Sequence, residues 1–221
     1  IANLDFPAPL PETLLEVEQR FNADHLPDPG AAARAALENL SIPSGASVAV
    51  GVGSRGVRDI VPVTRAVIAW LRDQGAQPFI FPAMGSHGGA TADGQRQMLA
   101  ELGVTEESTG AEIRATMDVV EIGQVEDGPR LFQDANAHAA DYTLLINRIK
   151  PHTDFHGPLE SGLAKMCVIG LGKQYGASMM HAYGGAGFRR YLGPAARVYE
   201  ANTNLIGGLA IIEKAYDQPA H

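Results

Sequence analysis

The feature that most constrains this chain is a short run of small, β-branched, uncharged residues, Ser47-Val48-Ala49-Val50-Gly51-Val52-Gly53, followed at once by a helical pattern. Such a run reads as a strand buried on both faces. Residues 59–74 read as a helix, with Val63, Val67, Ile68 and Leu71 on one side. The alternation continues. Residues 78–83 are a second strand and 91–102 a helix closed by Gly103; residues 117–122 are a third strand and 142–147 a fourth. Residues 161–169, 174–181 and 191–202 read as helices and 205–212 as a late strand. Strand and helix in strict turn imply parallel pairing, so the expected fold is α/β, a mainly parallel sheet flanked by helices. Residues 1–45 form a lead-in expected to pack on the domain at 46–221. It holds a short helix at 12–21 and an Ala-rich helix at 31–40.

Composition narrows the function classes. Of 221 residues, 45% are apolar and 19% charged, which excludes a disordered, collagen-like or coiled-coil chain. Seventeen Lys and Arg stand against 25 Asp and Glu, a net charge of -8, which argues against a nucleic-acid groove or an anionic membrane surface. No apolar run approaches the roughly 18–20 residues of a membrane helix, and the opening Ile1-Ala2-Asn3-Leu4-Asp5 does not read as a secretory signal. The single Cys167 excludes an intramolecular disulfide and a Cys-rich zinc site, and fits a reducing cytoplasm.

Ligands of parallel α/β sheets sit beyond the carboxyl ends of the strands. Three unusual loops fall there: Gly53-Ser54-Arg55-Gly56, Gly85-Ser86-His87-Gly88-Gly89, and the stretch from Asn147 to Gly157. Arg55 reads as an anion clamp or a surface ion pair. His87, flanked by glycines, has little packing to explain it and suits proton transfer or ligation. Lys150-Pro151-His152-Thr153-Asp154-Phe155-His156-Gly157 is the densest chemical stretch, in which Asp154 is placed to orient a histidine. Lys165 lies in an apolar run, either snorkelling or desolvated as a nucleophile. Gly170-Leu171-Gly172-Lys173 is a basic glycine turn suited to a phosphate, and His181 reads as a core histidine or a ligand. The match of Gly51-Val52-Gly53-Ser54-Arg55-Gly56 to a dinucleotide fingerprint lacks the acid expected after the second strand.

Taken in order, Gly53-Ser54-Arg55-Gly56, Met84-Gly85-Ser86-His87-Gly88-Gly89-Ala90-Thr91, Lys150-Pro151-His152-Thr153-Asp154-Phe155 and Glu160-Ser161-Gly162-Leu163-Ala164-Lys165-Met166 resemble the N-terminal domain of the lactate racemase family. These are nickel-pincer-nucleotide enzymes that invert 2-hydroxy acids. The resemblance implies that Lys165 joins the cofactor covalently and that His181, sixteen positions later, ligates nickel. It implies that His87 and His152 shuttle the hydroxyl proton from opposite sides of the substrate while Arg55 holds or positions it. Gly170, Gly172 and Lys173 would hold the nucleotide phosphate. Cofactor-maturation enzymes and a small 2-hydroxy-acid substrate follow as partners.

Val52 stands where the lactate enzymes carry an acid, Gly88-Gly89-Ala90 replaces their Arg-Pro, and the segment from His152 to Lys165 is longer. The chain is therefore expected on a separate branch. The family closes its site with a C-terminal domain that this chain does not show, so the expectation is a fragment, inactive as it stands. Competing expectations are an NAD-type oxidoreductase on the Gly51 loop, a catalytically diverged small-anion or nucleotide-binding domain, and a metal-dependent hydrolase using His152, Asp154 and His156.

Overall fold

In the central strand β1 (Ser47–Val52), consecutive side chains point to opposite faces, and both faces are covered. Val48, Val50 and Val52 pack on one side with Val63, Val67, Ile68 and Leu71 of helix α2 (Ile60–Asp73). Ala49 points the other way, into a second core with Val168, Leu171, Met180 and Tyr199. This two-sided burial is why the strand carries no charge. The computed structural model describes residues 13, 15–54, 56–153, 156–217, 219 and 220.

The remaining elements follow in chain order. Helix α1 is Pro29–Ala36, β2 Gln77–Pro82, α3 Ala92–Glu101, α4 Glu106–Thr109, β3 Val119–Gln124, β4 Arg130–Asp134, α5 Ala135–Ala139 and β5 Tyr142–Ile149. Then come α6 (Gly162–Lys165), a π-helical turn (Met166–Leu171), α7 (Lys173–His181), α8 (Gly184–Asn202) and β6 (Leu205–Ile212). The main sheet has the order β2-β1-β5-β6, every pair parallel. The expected α/β fold, a parallel sheet between helical layers, is thus what the chain forms. Among the described residues no helix is long and apolar enough to cross a membrane.

Strand β1 has β2 on one side and β5 on the other, so the chain reverses its direction of travel across the sheet at β1. A crevice opens at such a switch point, beyond the carboxyl ends of the two strands that flank it. Here β1 ends at Val52, in register with Ile146 of β5, which runs on to Ile149.

Three expectations are corrected. Residues 12–21 were expected to form a helix, yet the described ones form none. Leu15 is 91% exposed and Val17 80%, so a helix there would have no apolar face to bury. The strand expected at 117–122 exists as β3, but it lies outside the main sheet. It pairs antiparallel with β4, which the sequence reading missed, across a turn containing Asp127 (φ 50°) and Gly128. Local closure by a short turn beats the long crossover that parallel pairing would need. The helix expected at 161–169 is one α turn followed by the π turn.

The lead-in docks through its later half. Asp28 caps α1 by accepting from Ala31 N at 2.9 Å, and Ala33 and Leu37 join the α2 core. Leu26 N donates to Pro219 O at 2.8 Å, and the rings of Phe21 and Tyr216 meet edge-on at 6.2 Å.

Candidate functional site

A cavity of about 300 Å³ lies at the switch point, walled by the segments that follow β1, β2 and β5 and by the π turn. His87, His152, Lys165 and His181 all line it. Residues from positions 87 to 181 are thus brought to one place by four different segments.

His87 sits on the loop after β2. Its Nδ1 is in hydrogen-bond contact with Ser54 Oγ from the loop after β1. A hydroxyl can donate to Nδ1 or accept from it, so the contact orients the ring and holds it in whichever tautomer the pair adopts. The loop is held tightly from behind. Gln95 Nε2 donates to Gly85 O at 2.8 Å and to His87 O at 3.3 Å. Gly88 takes φ 64°, and a Cβ on Gly94 would lie 1.9 Å from Gly88 O, so α3 approaches the loop at backbone contact. Thr91 Oγ1 accepts from Gly94 N at 3.0 Å and caps that helix.

His152 is fixed through its main chain. Its N–H donates to Glu160 Oε2 at 2.9 Å, while Glu160 Oε1 accepts from Gly157 N at 3.0 Å and contacts His156 Nδ1 at 3.2 Å. Donation from the His152 and Gly157 amides holds the Glu160 carboxyl below its usual range. Lys150 N donates to Ser161 Oγ at 2.8 Å. Glu160 and Ser161 therefore close the loop after β5 into a ring that presents His152.

Lys165 is half-buried at the end of α6, and its Nζ lies 5.6 Å from the centre of the Phe188 ring. His181, at the end of α7, meets the same ring at 5.1 Å. Partial desolvation, and then the Lys165 charge, hold His181 below the ordinary histidine value, which favours its neutral imidazole. A neutral imidazole is the ligating form. The π turn between the two residues buries Cys167, whose thiol is pushed up to about 12 by desolvation and stays unreactive.

Lys173 departs from expectation. It is fully buried rather than on an exposed turn, and it does not line the cavity. Its ammonium lies 2.9 Å from Asp134 Oδ2 and donates to Gln95 Oε1 at 2.9 Å and to Pro82 O at 2.5 Å. The ammonium is thus spent on two protein acceptors and one counter-charge, and the phosphate role is withdrawn. Burial pushes Asp134 up and Lys173 down, each opposed by the other's charge. Lys173 also takes φ 52°, a left-handed conformation that costs a non-glycine residue about 1–2 kcal/mol. Gly170 does line the cavity; a Cβ there would meet Ala83 O at 2.7 Å. Gly172 does not line it, and its bare Cα instead clears Val168 O.

Arg55 and Asp154 lie outside the described residues, so the clamp and the hydrolase triad are not placed. Among the described residues, no three His, Cys, Asp or Glu side chains stand close enough to hold a metal ion. In the supposed dinucleotide loop, Gly51 has a packing reason to be glycine. A Cβ there would lie 2.7 Å from Leu145 Cδ2 and 2.8 Å from Phe81 Cζ.

The electrostatics of the wall are one-sided. Its described lining includes Arg148, Lys150, Lys165 and three histidines but no Asp or Glu, in a chain of net charge -8. Arg148 is neutralised by Glu213, 2.5 Å away on the segment after β6, and donates to Gly56 O at 3.2 Å. Glu213 also accepts from Arg58 N at 2.8 Å, so one buried carboxylate fastens the loop after β1 to the end of β5. Ser54, Gln95, Glu160 and Glu213 were given no role by the sequence reading. Their spacing carries no signal, because each acts through a partner met only in the fold.

No protein-family model matches the chain, and no curated protein is significantly similar to it. A crystal structure of a Thermotoga maritima protein is similar in fold, with a TM-score of 0.65 at 13% identity over 90% of this chain. The chain spans about half (54%) of that protein's length. The likeness is one of fold.

Proposed function

We propose that the chain is the N-terminal domain of a 2-hydroxy-acid racemase or epimerase that uses a covalently held nickel-pincer nucleotide. One observation carries the reading: His87, His152, Lys165 and His181, four of the positions singled out by the resemblance, line a single cavity whose described lining holds no Asp or Glu. That cavity sits where an α/β fold binds ligands.

Lys165 and His181 fit the group: Lys165 is the amine at the cavity wall that would carry it, and His181 would ligate the metal. When bound, the group supplies the hydride acceptor for the substrate α-carbon. Everything else falls to the chain. The cationic wall, with Lys150 on it, attracts the substrate carboxylate. His87 and His152 stand on loops from two different strands. One removes the hydroxyl proton as the ketone forms, and the other serves the opposite enantiomer. Ser54 sets the ring orientation of His87, and Glu160 holds the loop of His152.

The test is substitution in the full-length protein expressed with the maturation enzymes. Lys165→Ala is expected to abolish covalent attachment. His87→Ala is expected to keep attachment and lower racemisation by about 100-fold or more, the range lost with a general acid–base group. Attachment at another residue, or full activity without His87, contradicts the proposal. Anion binding without turnover would mark a diverged binding domain.

A further inference from the structure

We propose that Lys173 and Gln95 form a buried relay that positions His87, acting on its loop through the side-chain amide of Gln95. The relay is inferred from contacts alone; its catalytic meaning rests on the racemase reading above.

Lys173 opens α7, and its ammonium reaches three elements: it pairs with Asp134 at the end of β4 and donates to Pro82 O at the end of β2 and Gln95 Oε1 in α3. A cationic donor can meet only the oxygen of the Gln95 amide, so the amide orientation is fixed. The NH₂ group must then face the other way. There it donates to Gly85 O and to His87 O, the carbonyls that bracket Ser86 and include that of His87 itself. One amide thus ties the loop at two points. The close approach of Gly94 to Gly88 limits the loop on its far side. Ser54 then meets a ring whose backbone is already placed.

Two features set this relay apart from ordinary packing. A buried ion pair is seldom more stabilising than an apolar pair of the same volume, so stability alone does not account for it. Lys173 also occupies a left-handed backbone position that glycine would take without strain. The side chain is worth that strain only if its reach matters. The relay joins the two arms of the cavity, since α7 ends in His181 and the tethered loop carries His87.

The experiment reads the tautomer of His87 by imidazole ¹⁵N shifts in ligand-free protein, with the signal assigned by its loss in His87→Gln. Gln95→Met keeps the buried volume and removes both donors. The expected result is one dominant tautomer in the parent protein and a mixed, broadened signal in Gln95→Met, with His152 and His181 unchanged. Should Gln95→Met fail to fold, Gln95→Glu keeps the shape and the Lys173 contact while still removing the donors, and predicts the same change. Lys173→Met combined with Asp134→Leu, which removes both buried charges, predicts it too. In loaded enzyme, kcat falls about tenfold with KM unchanged. An unaltered His87 signal in the folded Gln95 variants overturns the relay. A changed signal without racemisation in the parent protein leaves the relay standing and removes only the racemase reading.

Discussion

At the scale of single residues, His87 was legible because it interrupts a glycine loop, Lys165 because it interrupts an apolar run and His152 because it stands in the densest chemical stretch; His181 was marked by the resemblance, sixteen positions after Lys165. Their supports were not legible. Lys173 follows Gly170-Leu171-Gly172, which reads as a phosphate turn. The approach of Asp134, 39 positions earlier and met only in the fold, makes it a buried ion pair instead. Removing that partner leaves a buried ammonium uncompensated, so Asp134→Ala is expected to cost about 3–5 kcal/mol in urea unfolding. Asp134→Leu combined with Lys173→Met should recover most of that loss. A cost under about 1 kcal/mol for Asp134→Ala would show that the pair is not buried as described.

At the scale of elements, β1, β2 and the first part of β5 were readable because two-sided burial leaves no room for charge, and β6 by its uncharged apolar run although it buries one face at its end, Leu209 and Ile211. The β3–β4 hairpin was half-read. β3 has its apolar run, but β4 (Arg-Leu-Phe-Gln-Asp) mixes charge with apolar residues and is recognised only by its partner. The loop after β5 is an element of its own, closed by Glu160. Its carboxylate lies below the usual range because two backbone amides donate to it. The depressed value gives the sign. The clamp is fully present above the ordinary carboxylate pKa of about 4.3 and is released as pH falls through the lowered folded value. Amide hydrogen exchange at His152 and Gly157 should therefore stay protected from neutral pH to below about 4.3. Glu160→Ala should expose both amides already at pH 7. Equal protection in parent and variant would show that the loop is held by something else.

The whole molecule is an acidic chain with a cavity at the switch point of its parallel sheet whose described lining is cationic and holds no Asp or Glu. That contrast concentrates positive potential where a small anion would dock. Binding of 2-hydroxy acids should weaken several-fold between about 0.05 and 0.5 M salt, as screening shortens the Debye length; calorimetric titration measures it, and a salt-independent affinity would contradict an electrostatic capture. The most direct test of the central claim is the intact mass and nickel content of the full-length protein expressed with the cofactor-maturation enzymes. The account predicts a covalent mass increment mapping to Lys165 together with stoichiometric nickel. An unmodified, nickel-free protein, beside a family enzyme that loads under the same conditions, would contradict it.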